Sequence, residues 1–65
     1  EENWVENLAL QDAMNRLNDR ERHIVNLRFY EGKTQMEVAQ EIGISQAQVS
    51  RLEKNALRVM RNYLR

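Results

Sequence analysis

The chain has no cysteine, no proline and only two glycines among its 65 residues. Without cysteine it can form neither a disulfide nor a thiolate metal site, and a reducing compartment is permitted. The scarcity of helix-breaking residues favours nearly continuous helix. No apolar run approaches membrane-spanning length, and no signal peptide is visible. We predict one small all-α domain over residues 1–65, without a metal or cofactor. Because the first residue is Glu1 rather than methionine, we expect a piece of a longer protein.

Catalytic side chains in a usable combination are also lacking. His23 is the only histidine, and the next helical positions carry Asn26 and Leu27 instead of an acid. A solvated surface histidine is therefore the simpler interpretation. Ser45 and Ser50 have no histidine or lysine partner in a plausible triad order. The sequence predicts a protein that is not an enzyme.

The net charge is zero, but the charges are unevenly distributed along the chain. Residues 1–31 hold seven acids and four bases, residues 32–45 hold two acids and one base, and residues 46–65 hold one acid and five bases. A basic C-terminal end is an electrostatic footprint for nucleic acid. Cations near a helix C-terminus also favour the helix dipole, which explains Arg61 and Arg65 but not Arg51 and Lys54.

Four helices are predicted over residues 4–17, 19–31, 35–42 and 46–64, because each opens with a capping signal. In each case an N-cap side chain is followed three residues later by Glu or Gln, the spacing of a capping box. Gly32 and Gly43 are placed to end the second and third helices. The capping pairs are Asn3 with Glu6, Asn18 with Glu21, Thr34 with Glu37, and Ser45 with Gln48.

Apolar residues at helical spacing predict the core. We expect Trp4 to form a buried lid and the three methionines to fill gaps in the core or at its edge. Arg28 and Glu53 are expected to form a structural ion pair between the second and fourth helices. The predicted core residues are Trp4, Leu8, Leu10, Met14, Leu17, Ile24, Leu27, Phe29, Val38, Ala39, Ile42, Ile44, Val49, Leu52, Ala56, Val59, Met60 and Tyr63, with Met36 at the edge.

Residues 35–54 have the pattern of a DNA-binding helix-turn-helix. Ala39 is small enough for two helices to cross closely, Gly43 suits a left-handed turn, and Val49 faces inward from the second helix. Many helical hairpins share part of this pattern. The spacing of these three residues, with a cap before each helix, makes the motif specific.

The outward face of the second helix of this motif is the predicted reading surface. Gln pairs with adenine edges, Arg with guanine or phosphate, and Ala contacts a thymine methyl. A cation at a helix start opposes the helix dipole, so the position of Arg20 predicts an anionic partner, either a phosphate or an acidic neighbour. The alternative for the whole set is a solvated polar face. The predicted base-reading residues are Gln46, Ala47, Gln48, Ser50 and Arg51, and the predicted backbone contacts are Arg20, Ser45, Lys54 and Arg58.

Residues 10–61 resemble region 4 of the bacterial sigma-70 family. The matching segments are RLNDRER, LRF, TQMEVAQEIGIS and QVSRLEKNALRVMR. Within that family, the helix-turn-helix segment looks like the sporulation branch of spore-forming bacteria, the sigma G group first and the sigma F group second.

The resemblance implies promoter recognition in a bacterial cytoplasm, in association with the nucleoid. Region 4 reads the −35 element of double-stranded promoter DNA and docks on the β flap of RNA polymerase, and this type is held by anti-sigma proteins. By position, Thr34 joins Arg20 and Lys54 as a phosphate contact. Housekeeping members carry Arg-Glu at Gln46-Ala47 and Gln at Arg51, so their −35 preference does not transfer.

Two alternatives remain open. A LuxR-type response-regulator domain shares the Leu-x-x-Arg-Glu start of the second helix and a similar turn, but its recognition helix usually continues differently. A protein-docking module would use exposed apolar groups such as Tyr30, Leu57 and Leu64. Salt dependence separates DNA binding from docking, because phosphate contacts weaken steeply with salt.

Overall fold

The computed structural model describes the backbone of residues 2–64 and the side chains of residues 8–64. Four α-helices follow one another: α1 (Glu2–Asn15), α2 (Asp19–Val25), α3 (Gln35–Ile42) and α4 (Gln46–Leu64). A π-helical segment, Asn26–Tyr30, continues α2 directly. No strand occurs in residues 2–64, so the predicted all-α, four-helix fold is confirmed. Within that same range, none of the helices is long and apolar enough to cross a membrane.

Three of the four predicted capping boxes form, each with bonds in both directions. The backbone N–H of the third helical residue donates to the side chain of the cap residue at 2.8–3.1 Å. The backbone N–H of the cap residue donates to the side chain of the third helical residue at 2.8–3.3 Å. These bonds satisfy N–H groups that a helix start otherwise leaves unpaired. The predicted cap of α1 and the predicted lid Trp4 lie outside the residues whose side chains are described. The three pairs are Asn18 with Glu21, Thr34 with Glu37, and Ser45 with Gln48.

Three predicted helix boundaries are wrong. The first helix begins at Glu2 instead of Trp4, so the predicted cap residue Asn3 lies within the helix. The first helix ends at Asn15, two residues early, because the chain tightens into i→i−3 bonds from Arg16 N to Ala13 O and from Leu17 N to Met14 O. The second helix widens into the π segment, where Glu31 N donates to Asn26 O. The bounds of α3 and α4 match the prediction.

The core consists of two clusters along α4. One joins α1 and α2 to the second half of α4, and the other joins α2, the π segment and α3 to its first half. Leu10, Val59, Ile42, Ile44 and Leu52 pack partly buried against these clusters. The first cluster contains Ala13, Met14, Leu17, Val25, Ala56 and Met60; the second, called here the turn cluster, contains Ile24, Leu27, Val38, Ala39 and Val49.

Four residues predicted in the core or at its edge are exposed instead. Phe29 is 53% exposed, Met36 58%, Leu8 45% and Tyr63 38%. Phe29 lies two residues after buried Leu27, Met36 two before buried Val38, and Leu8 two before partly buried Leu10. A step of two residues turns about 200° around a helix, so these side chains point away from the core. Tyr63 lies at the end of α4, where its ring contacts the Arg16 guanidinium carbon at 4.5 Å.

Arginines connect the helices. Arg22 donates to the carbonyls of Met14 and Leu17 at 3.2 and 3.0 Å, which satisfies acceptors at the C-terminal end of α1. The predicted ion pair between Arg28 and Glu53 is present, with Nε and Oε1 2.6 Å apart.

Candidate nucleic-acid interface

The turn between α3 and α4 places the two helices of the motif. Gly43 has a φ of 86°, in the left-handed region, where a side chain is strained. Its N–H and that of Ile44 both donate to the carbonyl of Ala39, at 2.8 and 3.1 Å, which closes the end of α3. Ala39 itself is buried, as expected for the place where two helices approach closely.

The first two turns of α4 present a polar face. Val49 is fully buried and Leu52 partly buried, so α4 packs on the turn cluster with these residues. Gln46, Ala47, Gln48 and Arg51 are exposed, and Ser50 is partly buried. The predicted base-reading residues therefore lie on the accessible side of α4, with Ser50 at its margin.

Gln48 has a capping role in addition to its exposed position. Its Oε1 accepts from the backbone N–H of Ser45 at 3.2 Å and lies 3.4 Å from the Ser45 hydroxyl. While this box is closed, the carboxamide oxygen cannot also take part in a two-bond pairing with adenine. Ser45 Oγ accepts from Gln48 N at 3.1 Å. The first N–H groups of α4, at Gln46 and Ala47, have no partner within the helix.

A row of basic side chains continues along α4 from this face. Three adjacent shallow hollows, of about 200, 380 and 300 Å³, follow one another along the helix. The first is lined by Arg20, Gln48, Arg51 and Leu52, so the fold brings Arg20 of α2 beside the reading face. The others are lined by Arg51, Lys54, Asn55, Leu57, Arg58 and Arg61, and Arg61 was not among the predicted contacts.

The basic row is not neutralised by an acid of its own helix. Glu53 is the only acid in residues 46–64, and it is buried and paired with Arg28. Arg58 is held by Asn55, whose own amide donates to buried Glu21 of α2. The outer side of α4 therefore carries a positive field suited to phosphate.

Thr34 lies at the start of α3 and is exposed. Its Oγ1 accepts from the N–H of Glu37, whose carboxylate accepts from Thr34 N at 2.8 Å. The backbone and side-chain bonds to Thr34 lower the pKa of the Glu37 carboxyl. Close by, the hydrogen bond from Lys33 to Glu41, 2.9 Å long, raises the pKa of the Lys33 ammonium. Thr34 is exposed at the start of α3, so its hydroxyl can also donate to an outside acceptor such as phosphate.

The structure adds Gln35 beside the predicted site. Gln46 Nε2 donates to Gln35 Oε1 at 2.7 Å, and Gln35 Nε2 donates to Glu53 Oε1 at 3.2 Å. The sequence marks Gln35 only as the first residue of its helix. No spacing rule could have paired it with Gln46, eleven positions later, because the contact depends on how α3 and α4 cross.

His23 is exposed, as predicted. Among the described residues, no group of three His, Cys, Asp or Glu side chains could hold a metal ion.

The family model for sigma-70, region 4, matches residues 13–62. The chain belongs to the sigma-70 region 4 family. It is 58% identical to the RNA polymerase sigma-G factor of Clostridium acetobutylicum over 98% of this chain and 25% of that protein. It is 68% identical to the sigma-G factor of Bacillus subtilis over 88% of this chain and 22% of that protein.

The sigma-F factor of Bacillus licheniformis is 52% identical over 98% of this chain and 25% of that protein. This region 4 chain therefore spans about a quarter of the length of the curated relatives it matches. No solved structure matches it significantly. The predicted family is confirmed, with sigma-G ahead of sigma-F among these relatives, and the LuxR-type alternative is not favoured.

Proposed function

We propose that residues 1–65 form one sigma region 4 domain, which recognises the −35 element of promoters for a sporulation RNA polymerase. The observation that carries this proposal is the exposed polar face of α4, which begins at a capped helix start and continues into a basic row without an acid of its own. A recognition helix enters the major groove with its N-terminal residues on the base edges.

The proposed roles follow the chemistry of each side chain. Gln46, Ala47, Ser50 and Arg51 contact base edges, and Gln48 contacts them with its amide N–H groups while its oxygen caps α4. Phosphates are held by side-chain cations and by hydroxyls at helix starts, which fix the register of the helix on the duplex. The proposed phosphate contacts are Arg20, Thr34, Ser45, Lys54 and Arg58.

Two protein partners are proposed with the DNA. The first is the β flap of RNA polymerase, and the second is an anti-sigma protein. Exposed apolar side chains support a docking role: Tyr30 is 64% exposed, Leu57 40% and Leu64 46%. Of these, Leu57 lies within the basic row, beside Lys54 and Arg58. Action on the bacterial chromosome implies a cytoplasmic protein.

The deciding experiment is the binding of this chain to a −35-containing duplex and, separately, to a β-flap segment, each across a salt series. We expect DNA affinity to fall steeply with salt, because bound cations displace counterions, whereas flap binding should change little. DNA binding as a dimer without flap binding would instead support a regulator of the LuxR type. A matched duplex of unrelated sequence serves as the control for base reading.

A further inference from the structure

Gln46, the first residue of α4, is joined to the partly buried ion pair of Arg28 and Glu53 by a series of hydrogen bonds. Its Nε2 donates to Oε1 of Gln35, at the start of α3, at 2.7 Å. Gln35 Nε2 donates to Oε1 of Glu53 at 3.2 Å. The same oxygen accepts from Arg28 Nε at 2.6 Å. Exposed Gln46 is thus connected to Glu53, a residue that is 8% exposed.

The Glu53 carboxylate sets the donor-to-acceptor direction of these hydrogen bonds. A carboxylate paired with arginine only accepts hydrogen bonds, so Gln35 must turn its NH₂ group toward Glu53. Its oxygen then faces Gln46, which must turn its own NH₂ group toward Gln35. A free carboxamide can rotate by half a turn and exchange its donor for its acceptor, but Gln46 cannot do so without losing this bond.

The orientation matters for reading adenine. Gln46 keeps one N–H and both lone pairs of its oxygen after bonding Gln35. Adenine presents an acceptor, N7, beside a donor, the N6 amino group, and glutamine pairs with both in one orientation. We propose that Gln35 is a positioning residue that sets the base preference of Gln46. This inference rests on the proposed function of α4.

Glu53, at which these hydrogen bonds end, is held in place without Gln35. Arg28 keeps Glu53 in place and also donates from Nη1 to the carbonyl of Lys33 at 2.9 Å. Gln35 is only partly buried, so replacing it by methionine keeps its length and removes both bonds without opening the core. Gln40, an exposed glutamine on the same helix, offers the matched control Gln40→Met.

The test measures base preference instead of affinity alone. The wild-type chain selects its preferred duplex from a randomised library, and affinities are then measured at low salt for every single-base-pair variant of that duplex. A two-bond base contact carries roughly five- to 150-fold discrimination. We expect Gln35→Met to reduce discrimination at least about threefold at one base pair, the same one that Gln46→Ala affects. Affinity for an unrelated duplex should match that of Gln40→Met.

A double variant separates positioning from a contact of its own. In the Gln46→Ala background, Gln35→Met should produce no further change in base preference. If Gln46→Ala alters the preference and Gln35→Met behaves like Gln40→Met, the positioning role is overturned and the proposed function stands. If Gln46→Ala leaves the preference unchanged, base reading by Gln46 fails and the inference fails with it. Far-UV circular dichroism of each variant confirms that it is folded.

Discussion

Arg51 and Lys54 lie three residues apart on the exposed side of α4, but they differ in what they can recognise. The guanidinium of arginine is planar and can pair with the two acceptors on the guanine edge. The ammonium of lysine is a compact charge suited to phosphate. Arg51 also lines the hollow that contains Arg20, near the start of α4, whereas Lys54 lies further along the basic row.

Arg51→Ala should therefore weaken binding to the preferred duplex and change its base preference. The expected loss for a two-bond base contact is about 1–3 kcal/mol, concentrated at one base pair. Fluorescence anisotropy against single-base-pair variants measures it. An unchanged affinity and preference would reject base reading by Arg51.

Lys54→Ala is the matched variant on the same face. We expect it to weaken binding to all duplexes alike, by about 1 kcal/mol, and to lower the slope of log affinity against log salt by about one. A change in base preference would contradict a phosphate role for Lys54.

At the scale of the helices, two buried carboxylates hold α4 against the rest of the fold. Glu53 binds Arg28 of the π segment, and Glu21 of α2 accepts from Asn55 of α4. Glu53 is linked by hydrogen bonds through the amide of Gln35 to Gln46. Glu21 is linked in the same way through the amide of Asn55 to Arg58. The same bonds that fix the position of α4 therefore also orient residues of its outer face.

Glu53→Leu should destabilise the fold, because it leaves the partly buried Arg28 guanidinium without its carboxylate. Loss of a hydrogen bond to a charged group costs about 2 kcal/mol. Urea unfolding followed by circular dichroism measures the free energy of unfolding. Adding Arg28→Met should recover part of the loss, since an apolar pair can replace a buried ion pair. No recovery would show that the contribution comes from packing of the glutamate itself.

The capping box at the start of α3 predicts an acid-sensitive contribution to stability. Because the folded pKa of Glu37 is lowered, this contribution is present above the pKa of the unfolded state and is lost as pH falls through the folded pKa. We expect the Tm of the wild type to fall more steeply than that of Glu37→Gln below the ordinary glutamate range. Parallel curves for the two proteins would argue against the box.

The raised pKa of Lys33 acts in the opposite range. Its contribution is present below the ordinary lysine pKa and is lost as pH rises through the folded value. The Lys33–Glu41 bond does not include Glu37, so it is present in both proteins of the comparison at acid pH.

At the scale of the whole molecule, zero net charge coexists with a basic reading side. Residues 46–65 carry five bases and one acid, whereas residues 1–31 carry seven acids and four bases. Long-range attraction to DNA is weakened by the acidic part, but contacts at the basic row still displace counterions. Such a chain must turn its basic side toward the DNA in order to bind.

The isolated chain should bind a −35-containing duplex weakly at physiological salt, yet with a clear salt dependence. The interface is small, and the acidic half of the chain opposes the approach of DNA. Titration across a salt series, with an unrelated duplex as control, gives the slope and the specificity ratio. Tight, sequence-specific binding at physiological salt would contradict this prediction.

The starts of α2, α3 and α4 and the turn between α3 and α4 were determined by the sequence alone. Asn18, Thr34 and Ser45 each find a partner three residues later, and Gly43 supplies the left-handed turn. These signals act within a few residues, so they do not depend on how the chain folds back on itself. For the same reason, the outward position of Gln46, Arg51 and Lys54 follows from the spacing of Val49 and Leu52.

Tertiary structure decided which apolar residues are covered and which polar side chains meet. Phe29 and Met36 are apolar, but among the residues whose side chains are described no element covers them, and composition cannot show this. The link from Gln46 through Gln35 to Glu53 joins three positions far apart in sequence, so it exists only where α3 crosses α4. Local signals determine helices because their bonds are local; the fine orientation of the site depends on contacts between helices, which only the folded chain provides.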